Sequence, residues 1–393
     1  MTRTILHLDL DAFFCAVEEA RNPELRGKAF AVGGKPGERG VVASCSYAAR
    51  RNGVRSAMPM SQALRLSPGL IIIPARHRLY SEISRQVMAI LHDLTTLVEQ
   101  ISIDEAFLDL SDIRDDPERL ARGLQARIRD ELHLPCSIGI ASNKLVAKIA
   151  TEVGKHLALK RIKAQGAAEP PNAVTVVPYG EEAAFLSPLP AEMLWGVGPK
   201  TSKRLSELGI HTIGDIAKWP EKELIRLFGE NGRDLSRHAK GIDNRPVVTE
   251  RETKSISQEV TFAVDVRDDK VLQKTIREQS GRVASQLRKN GLAGSTIKLK
   301  IRWPDFTTLT RQTTLGHRTD QEDEIAKAAL ELMKSVRKPN QAVRLIGVGV
   351  TGLGQPIRQL GLWDVDSEKA RRLQSAMNEL QERYGRDVIR RGE

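Results

Sequence analysis

The segment Thr4-Ile-Leu-His-Leu-Asp-Leu-Asp11 alternates apolar and polar side chains with period two, and helical spacing then runs from Ala12 to Arg21 before Asn22-Pro23 stops it. A strand therefore enters a helix at a pair of acids, and a carboxylate in an apolar strand is costly unless something compensates it. The same conflict recurs at Asp104 and Glu105, adjacent within the largely apolar residues 97–110, which read as two short strands around Ser102-Ile-Asp-Glu105. Residues 79–94 and 117–131 carry helical periodicity, and 136–140 read as a buried strand. This alternation predicts an α/β or α+β layer from residue 1 to about 165.

A stretch rich in Ala, Pro and basic residues, 160–178, marks a boundary. Residues 186–241 then read as short helices punctuated by glycines, and 243–254 as a linker. Beyond it, strands at 256–264, 297–303 and 342–350 with helices at 270–289 and 320–336 make a second α/β layer. A final amphipathic helix spans 367–390, with no function assigned to it. At 393 residues the chain has room for two to four domains.

The formal charge of +11 favours a polyanionic partner, and its placement is more informative than its size. Between Gly281 and Arg318 eight basic residues face one acid, Asp305. Lys298, Lys300 and Arg302 alternate with Ile297, Leu299 and Ile301, so one strand face is basic while the other packs inward. Either that strand is a lysine-protected edge or it lines a phosphate-tracking groove. The three cysteines, widely spaced, suggest no disulfide framework or zinc site, and no apolar run reaches membrane-spanning length. The expectation is a soluble protein of the reducing cytoplasm.

Acids brought together from different strands suit Mg2+, which takes a few carboxylates and leaves room for substrate phosphates. Asp9, Asp104 and Glu105 are the candidate set. Neighbours on a regular strand face opposite ways, so Asp104 and Glu105 share a site only if the backbone bends between them. Singly, each acid is equally compatible with a strand-end salt bridge. Asp11 is expected to cap the following helix.

Three words then stand in order: Leu8-Asp-Leu-Asp-Ala-Phe-Phe14, Ala43-Ser-Cys-Ser-Tyr-Ala-Ala-Arg50 and Ser102-Ile-Asp-Glu-Ala106. They resemble the signature words of the Y-family translesion DNA polymerases, and the likeness to the bacterial DNA polymerase IV branch runs from Met1 to about residue 353. The resemblance implies an α+β, multidomain right-hand polymerase. Its palm would take residues 1–11 and 75–165, its fingers 12–74, its thumb with a helix-hairpin-helix 166–243, a linker 244–250 and an α/β little finger 251–353. A tail, 354–393, would follow.

By the same resemblance, Asp9, Asp104 and Glu105 with the Leu10 carbonyl would hold two Mg2+ ions. Phe13, Phe14, Ser44, Tyr47, Arg50 and Lys155 would bind the incoming nucleotide, with Phe14 as the steric gate against ribose. His156-Leu-Ala-Leu-Lys160 stands where the family has a Pro-Asn/Asp-Gly turn. Gly33, Gly34, Val41 and Ala43 would roof the nascent base pair with small groups. The implied reaction is template-directed addition of deoxynucleotides to a primer 3′ end by two-metal phosphoryl transfer, with low fidelity, lesion bypass and no proofreading.

Gly196-Val-Gly198 entering a helix with Lys200 and Lys203 would grip the DNA backbone, as Lys298, Lys300 and Arg302 would in the little finger. Gln359-Leu-Gly-Leu-Trp363 is similar to the peptide that docks bacterial polymerases on the sliding clamp, through Gln359, Leu360, Leu362 and Trp363. The expected partners are primer-template DNA, deoxynucleoside triphosphates and the clamp, with the chain itself a monomer and no membrane involved. Two rival readings use the same acids or charge: a two-metal nuclease and a non-catalytic DNA-binding adaptor.

Overall fold

β1 (Ile5–Leu10) is buried at every position because it lies mid-sheet with packed layers on both faces. The computed structural model describes residues 3–356, divided between two compact units that meet in the chain at residues 252 and 253. In the first unit β1 is followed by α1 (Phe13–Arg21), β2 (Phe30–Gly33), β3 (Val42–Cys45), α2 (Tyr47–Arg51), α3 (Met60–Leu66), β4 (Ile71–Ile73) and α4 (His77–Leu94). Then come β5 (Val98–Gln100), β6 (Glu105–Asp109), α5 (Pro117–Leu132), β7 (Cys136–Ala141), α6 (Lys144–Ala164) and β8 (Val174–Val176). The main sheet has the order β5-β6-β1-β7-β8, and β2, β3 and β4 form a separate small sheet.

Period two sorts β1 between two environments. Leu6, Leu8 and Leu10 pack in a core shared with α1, α4 and α5. Ile5 packs on the other side with Phe107, Leu145 and Ile149, beneath α6. His7 and Asp9 alternate with the leucines, so they too face α6, which is where their hydrogen-bond partners lie. Helix α6 lies close to the sheet because glycine stands at the contact: a Cβ on Gly139 of β7 would meet the Ala147 carbonyl oxygen at 2.1 Å. Asn143 caps α6 by accepting from the Val146 amide, and Asp116 does the same for α5 ahead of Pro117.

Two sequence expectations are corrected here. β8 pairs parallel with β7, so the main sheet continues past residue 165, the expected palm limit; its three residues follow a Pro- and Ala-rich stretch that reads as linker. And α6 runs to Ala164 through His156-Leu-Ala-Leu-Lys160, so the helix replaces the turn expected after Lys155.

A run of helices follows: α7 (Glu182–Leu186), α8 (Pro199–Glu207), α9 (Ile213–Lys218), α10 (Glu221–Phe228) and α11 (Glu230–Ala239). Gly196 has φ +103°, which only glycine adopts freely, and Gly198 and Pro199 start α8. Thr212 and Asp215 close a capping box on α9.

The second unit comprises β9 (Ser255–Val266), α12 (Asp269–Lys289), β10 (Ala293–Arg302), β11 (Thr308–Thr319), α13 (Glu322–Val336) and β12 (Val343–Gly354). Its antiparallel sheet has the order β11-β10-β12-β9. Leu272, Ile276 and Val283 of α12 and Ile325 of α13 cover one face, against Ile297, Leu299 and Ile301. β11, absent from the sequence expectation, is threonine-rich and mostly exposed. It occupies the edge, which makes β10 an inner strand and removes the reading of its lysines as edge protection.

Candidate active site

A cleft of about 460 Å3 opens where β1 ends and α1 begins. Asp9, Leu10 and Asp104 line one side; Phe13 and Phe14 of α1 line another; Ser44, Tyr47 and Arg50 close it from β3 and α2. Lys155 enters from α6. Nine residues singled out from the sequence therefore share one cavity, although they come from four separated stretches of chain.

Asp9 and Glu105 face each other across the antiparallel pair β1–β6, and the Leu10 amide donates to the Asp104 carbonyl at 3.0 Å. The bend required between Asp104 and Glu105 is present. Residues 102–104 leave the strand, and the Ser102 hydroxyl accepts from both the Asp104 and Glu105 amides, so β6 starts only at Glu105. Asp104 is thereby freed from strand alternation and reaches the cleft.

Glu105 does not line the cleft; Lys148 Nζ holds both its oxygens, at 2.9 and 2.8 Å. Lys155 Nζ lies 2.6 Å from Asp9. Burial, and then the charge of Glu105, push the Asp9 carboxyl above its ordinary range against the pull of Lys155. Burial acts the same way on Glu105, but its bonds to Lys148 and Asp9 outweigh it and hold the group below its ordinary value. Among the described residues no three His, Cys, Asp or Glu side chains already stand as a metal cage. The donors are nonetheless all hard oxygens, and the two foremost acids are neutralised by mobile lysine heads that a cation could replace.

Asp11 does not cap α1. Its buried carboxylate accepts from Ser137 Oγ at 2.9 Å and from the Asn172 amide at 3.1 Å, and burial raises it to about 6. The residue at the helix start, Ala12, lies in the left-handed region at φ 49° with no side-chain cap. That conformation is uncommon for a residue with a Cβ and turns the chain sharply at the cleft wall. Phe14, two residues on, stacks on Tyr80 of α4 with ring centroids 4.2 Å apart and planes 14° from parallel. The Arg50 guanidinium sits 4.9 Å over the Tyr47 ring and donates to the Cys45 carbonyl, while burial raises the Tyr47 phenol far above its ordinary value.

Gly33 and Gly34 do not line the cleft; a Cβ there would collide with the Val41 carbonyl at 2.2 Å and with Gly40 at 2.8 Å. Tight backbone packing requires them. Of the small groups expected over the base pair, Ala43 lines the cavity, whereas Val41 is exposed away from its lining. Gly196, Gly198, Lys200 and Lys203 are exposed together at the start of α8. In the second unit Lys298, Lys300 and Arg302 lie on the sheet face away from α12 and α13, with Lys300 paired to Glu259 at 2.8 Å. The peptide Gln359–Trp363 and residues 367–390 fall outside the described residues.

Sequence reasoning missed the means by which α6 is fastened. Lys144, Lys148, Thr151 and Lys155 fall at i, i+4, i+7 and i+11, one face of a helix. They contact in turn Glu99 of β5, Glu105 of β6, His7 of β1 and Asp9. Burial, with Lys148 and Lys155 nearby, holds His7 far below its usual range and therefore neutral. This polar stripe in an otherwise apolar helix is visible in the sequence, and it is the signal of a face turned towards buried acids.

The impB/mucB/samB family model matches residues 8–152, and the impB/mucB/samB family C-terminal domain matches residues 253–362. A DNA polymerase IV of Dehalococcoides mccartyi is 40% identical over 99% of this chain and 97% of the relative. A DNA polymerase IV of Streptomyces coelicolor is 46% identical over 89% of this chain and 71% of its own length. Among solved structures, the Y-family DNA polymerase chimera Dbh-Dpo4(243-245)-Dbh is similar with a TM-score of 0.78 at 26% identity, over 90% of this chain and 99% of that one. DinB from Sulfolobus solfataricus gives a TM-score of 0.59 at 28% identity, over 88% and 98%. With this α+β right-hand fold and these relatives, the chain belongs to the Y family of DNA polymerases, in the DNA polymerase IV branch, and is a DNA-directed DNA polymerase of the translesion type.

Proposed function

We propose that Asp9, Asp104, Glu105 and the Leu10 carbonyl hold two Mg2+ ions at the cleft, and that the primer 3′ end and a deoxynucleoside triphosphate meet there. The observation that carries this reading is that the acids of β1 and β6 border the same cavity as Tyr47, Arg50 and Lys155. Divalent cations bound there supply Lewis acidity at the attacking hydroxyl and the departing pyrophosphate.

The chain's own side chains do the rest. Arg50 offers a planar fork to phosphate oxygens, Lys155 a point charge, and Tyr47 a hydroxyl that burial keeps protonated as a donor. Phe13 and Ser44 bound the sugar side, and Phe14, held by its stack on Tyr80, excludes a 2′-hydroxyl. For Lys155 to reach phosphate it must release Asp9, which frees that carboxylate for a cation.

DNA is gripped through its phosphates by Gly196, Gly198, Lys200 and Lys203 at the start of α8 and by Lys298, Lys300 and Arg302 on β10. What supports the second contact is a helix-free sheet face on which Thr308, Thr310 and Gln312 stand opposite the three cations. In the same reading, residues 1–11 and 75–165 serve as palm, 12–74 as fingers, 166–243 as thumb, 244–250 as linker and 251–353 as little finger. Gln359, Leu360, Leu362 and Trp363 dock on a sliding clamp, and the chain works as a cytoplasmic monomer.

A labelled primer-template incubated with nucleotides and Mg2+ tests the proposal. Wild-type protein should lengthen the primer, and Asp104→Ala with Glu105→Ala should abolish extension while DNA affinity changes less than about twofold. Extension by the double variant overturns the metal assignment. Shortening of the primer by the wild type would favour the nuclease, and binding without either change the adaptor.

A further inference from the structure

Glu99 lies outside the cleft, at the centre of a buried ionic cluster that the reaction does not require. Its side chain is 2% exposed, yet both carboxylate oxygens are fully engaged. One oxygen accepts from Lys144 Nζ at 2.7 Å and from the Val248 amide at 2.9 Å; the other accepts from the Arg251 guanidinium. Lys144 is itself 5% exposed. A carboxylate buried so deeply must be compensated, and here half of the compensation comes from the segment that leads out of the first unit.

That segment has little else to hold it. Residues 244–250 form no helix or strand, and all are exposed except Val247, which is partly buried. Upstream, the chain is fastened to the start of α6: Asp243 accepts from the Leu145 amide, and Asn143 donates to the Gly241 carbonyl. Downstream, Ser255 opens β9.

We infer that Glu99 is a latch that docks residues 244–251 on the first unit and thereby sets the length of free chain on which the second unit is hung. With the latch closed, only residues 252–254 are untethered. With it open, the free chain grows to 244–254, eleven residues in place of three. Given the reading above, in which both units bind one primer-template, the second contact is intramolecular, and its effective concentration falls roughly as the −3/2 power of tether length. The expected loss of DNA affinity is about sevenfold. Removing only the Arg251 side chain leaves 249–254 free, six residues, and the same relation gives about threefold. Glu99 is thus a positioning residue.

The test uses the full-length chain as wild type, Glu99→Gln and Arg251→Ala, the latter altering only a side chain that is 58% exposed. Amide hydrogen exchange is read at Val248, with β1 and β7 as internal controls for an intact fold. Exchange at Val248 should accelerate at least tenfold in Glu99→Gln and less in Arg251→Ala. Primer-template affinity should fall about sevenfold and threefold, while kcat at saturating DNA stays within about twofold of wild type. Unchanged exchange at Val248, or a fall in kcat with affinity intact, overturns the latch. If Glu99→Gln does not fold, the graded Arg251→Ala result decides alone. Lys298→Ala with Arg302→Ala serves as the separate control: unchanged DNA affinity there would refute the second unit's grip and leave the exchange measurement still testing the latch.

Discussion

Replacing Gly139 with alanine puts a methyl group where α6 meets the sheet. The new Cβ would stand 2.1 Å from the Ala147 carbonyl oxygen, 2.5 Å from the Thr151 amide nitrogen and 2.6 Å from the Thr151 hydroxyl. Real Cβ atoms do not approach other heavy atoms within 3.0 Å, so α6 must retreat by about 0.9 Å at that point. Two of the three atoms are helix backbone and cannot rotate away. Overpacking of this kind costs about 1–3 kcal/mol of stability. The retreat also draws Lys148, Thr151 and Lys155 away from Glu105, His7 and Asp9, which they contact at 2.6 to 2.9 Å. A displacement near 1 Å in groups that orient a reaction lowers the rate by roughly 10²-fold. Gly139→Ala should therefore lose about 1–3 kcal/mol in urea unfolding and about two orders of magnitude in single-turnover incorporation, with primer-template affinity little changed. A variant as stable as wild type to within about 0.5 kcal/mol and fully active would refute the claim that α6 is held at contact distance by this glycine.

Phe14→Ala should admit ribonucleotides, raising the ratio of ribo- to deoxynucleotide incorporation by at least about tenfold in a competition assay; an unchanged ratio removes Phe14 from sugar selection. Lys298→Ala with Arg302→Ala should make the plot of log affinity against log salt shallower by about two, one for each phosphate no longer neutralised, without changing sequence preference. Asp243, whose side chain is 1% exposed, is kept below its usual value of 3.8: burial alone would raise it, but the bonds from Arg245 outweigh that. A depressed carboxylate stabilises the fold above its unfolded pKa and ceases to do so as pH falls through the folded one. Asp243→Asn should thus lose about 1–3 kcal/mol at pH 7, and the gap to wild type should close below about pH 4; a gap independent of pH would contradict the charge argument.

Much of the catalytic cleft is legible in residue order alone, because its acids interrupt apolar strands and its aromatics open a helix at a strand's end. β1, α1, α4, α5 and β7 are legible for the same reason: each has a single buried face with a clean period. β11 is not, because an edge strand beside an open, polar sheet face buries little and carries threonines in place of an alternating apolar set. β8 is too short to show a period and borrows its stability from β7. Asp11 looks like a helix cap from its position, and only tertiary structure shows Ser137 and Asn172 competing for it. The glycine at residue 139 also carries a signal, since glycine inside a strand marks close approach of another backbone. Gly33 and Gly34 mislead in the opposite sense: their smallness serves the backbone contact with residues 40 and 41, away from the cleft lining.

The central claim is that Asp9, Asp104 and Glu105 are ligands of the reaction's cations, and counting bound ions tests it without relying on turnover. Electron paramagnetic resonance of Mn2+ titrated into the full chain with primer-template and a non-hydrolysable deoxynucleotide should reveal two bound ions per chain. At least one should be lost in Asp9→Ala and in Asp104→Ala with Glu105→Ala. An ion count that is the same in wild type and in both variants would contradict the account.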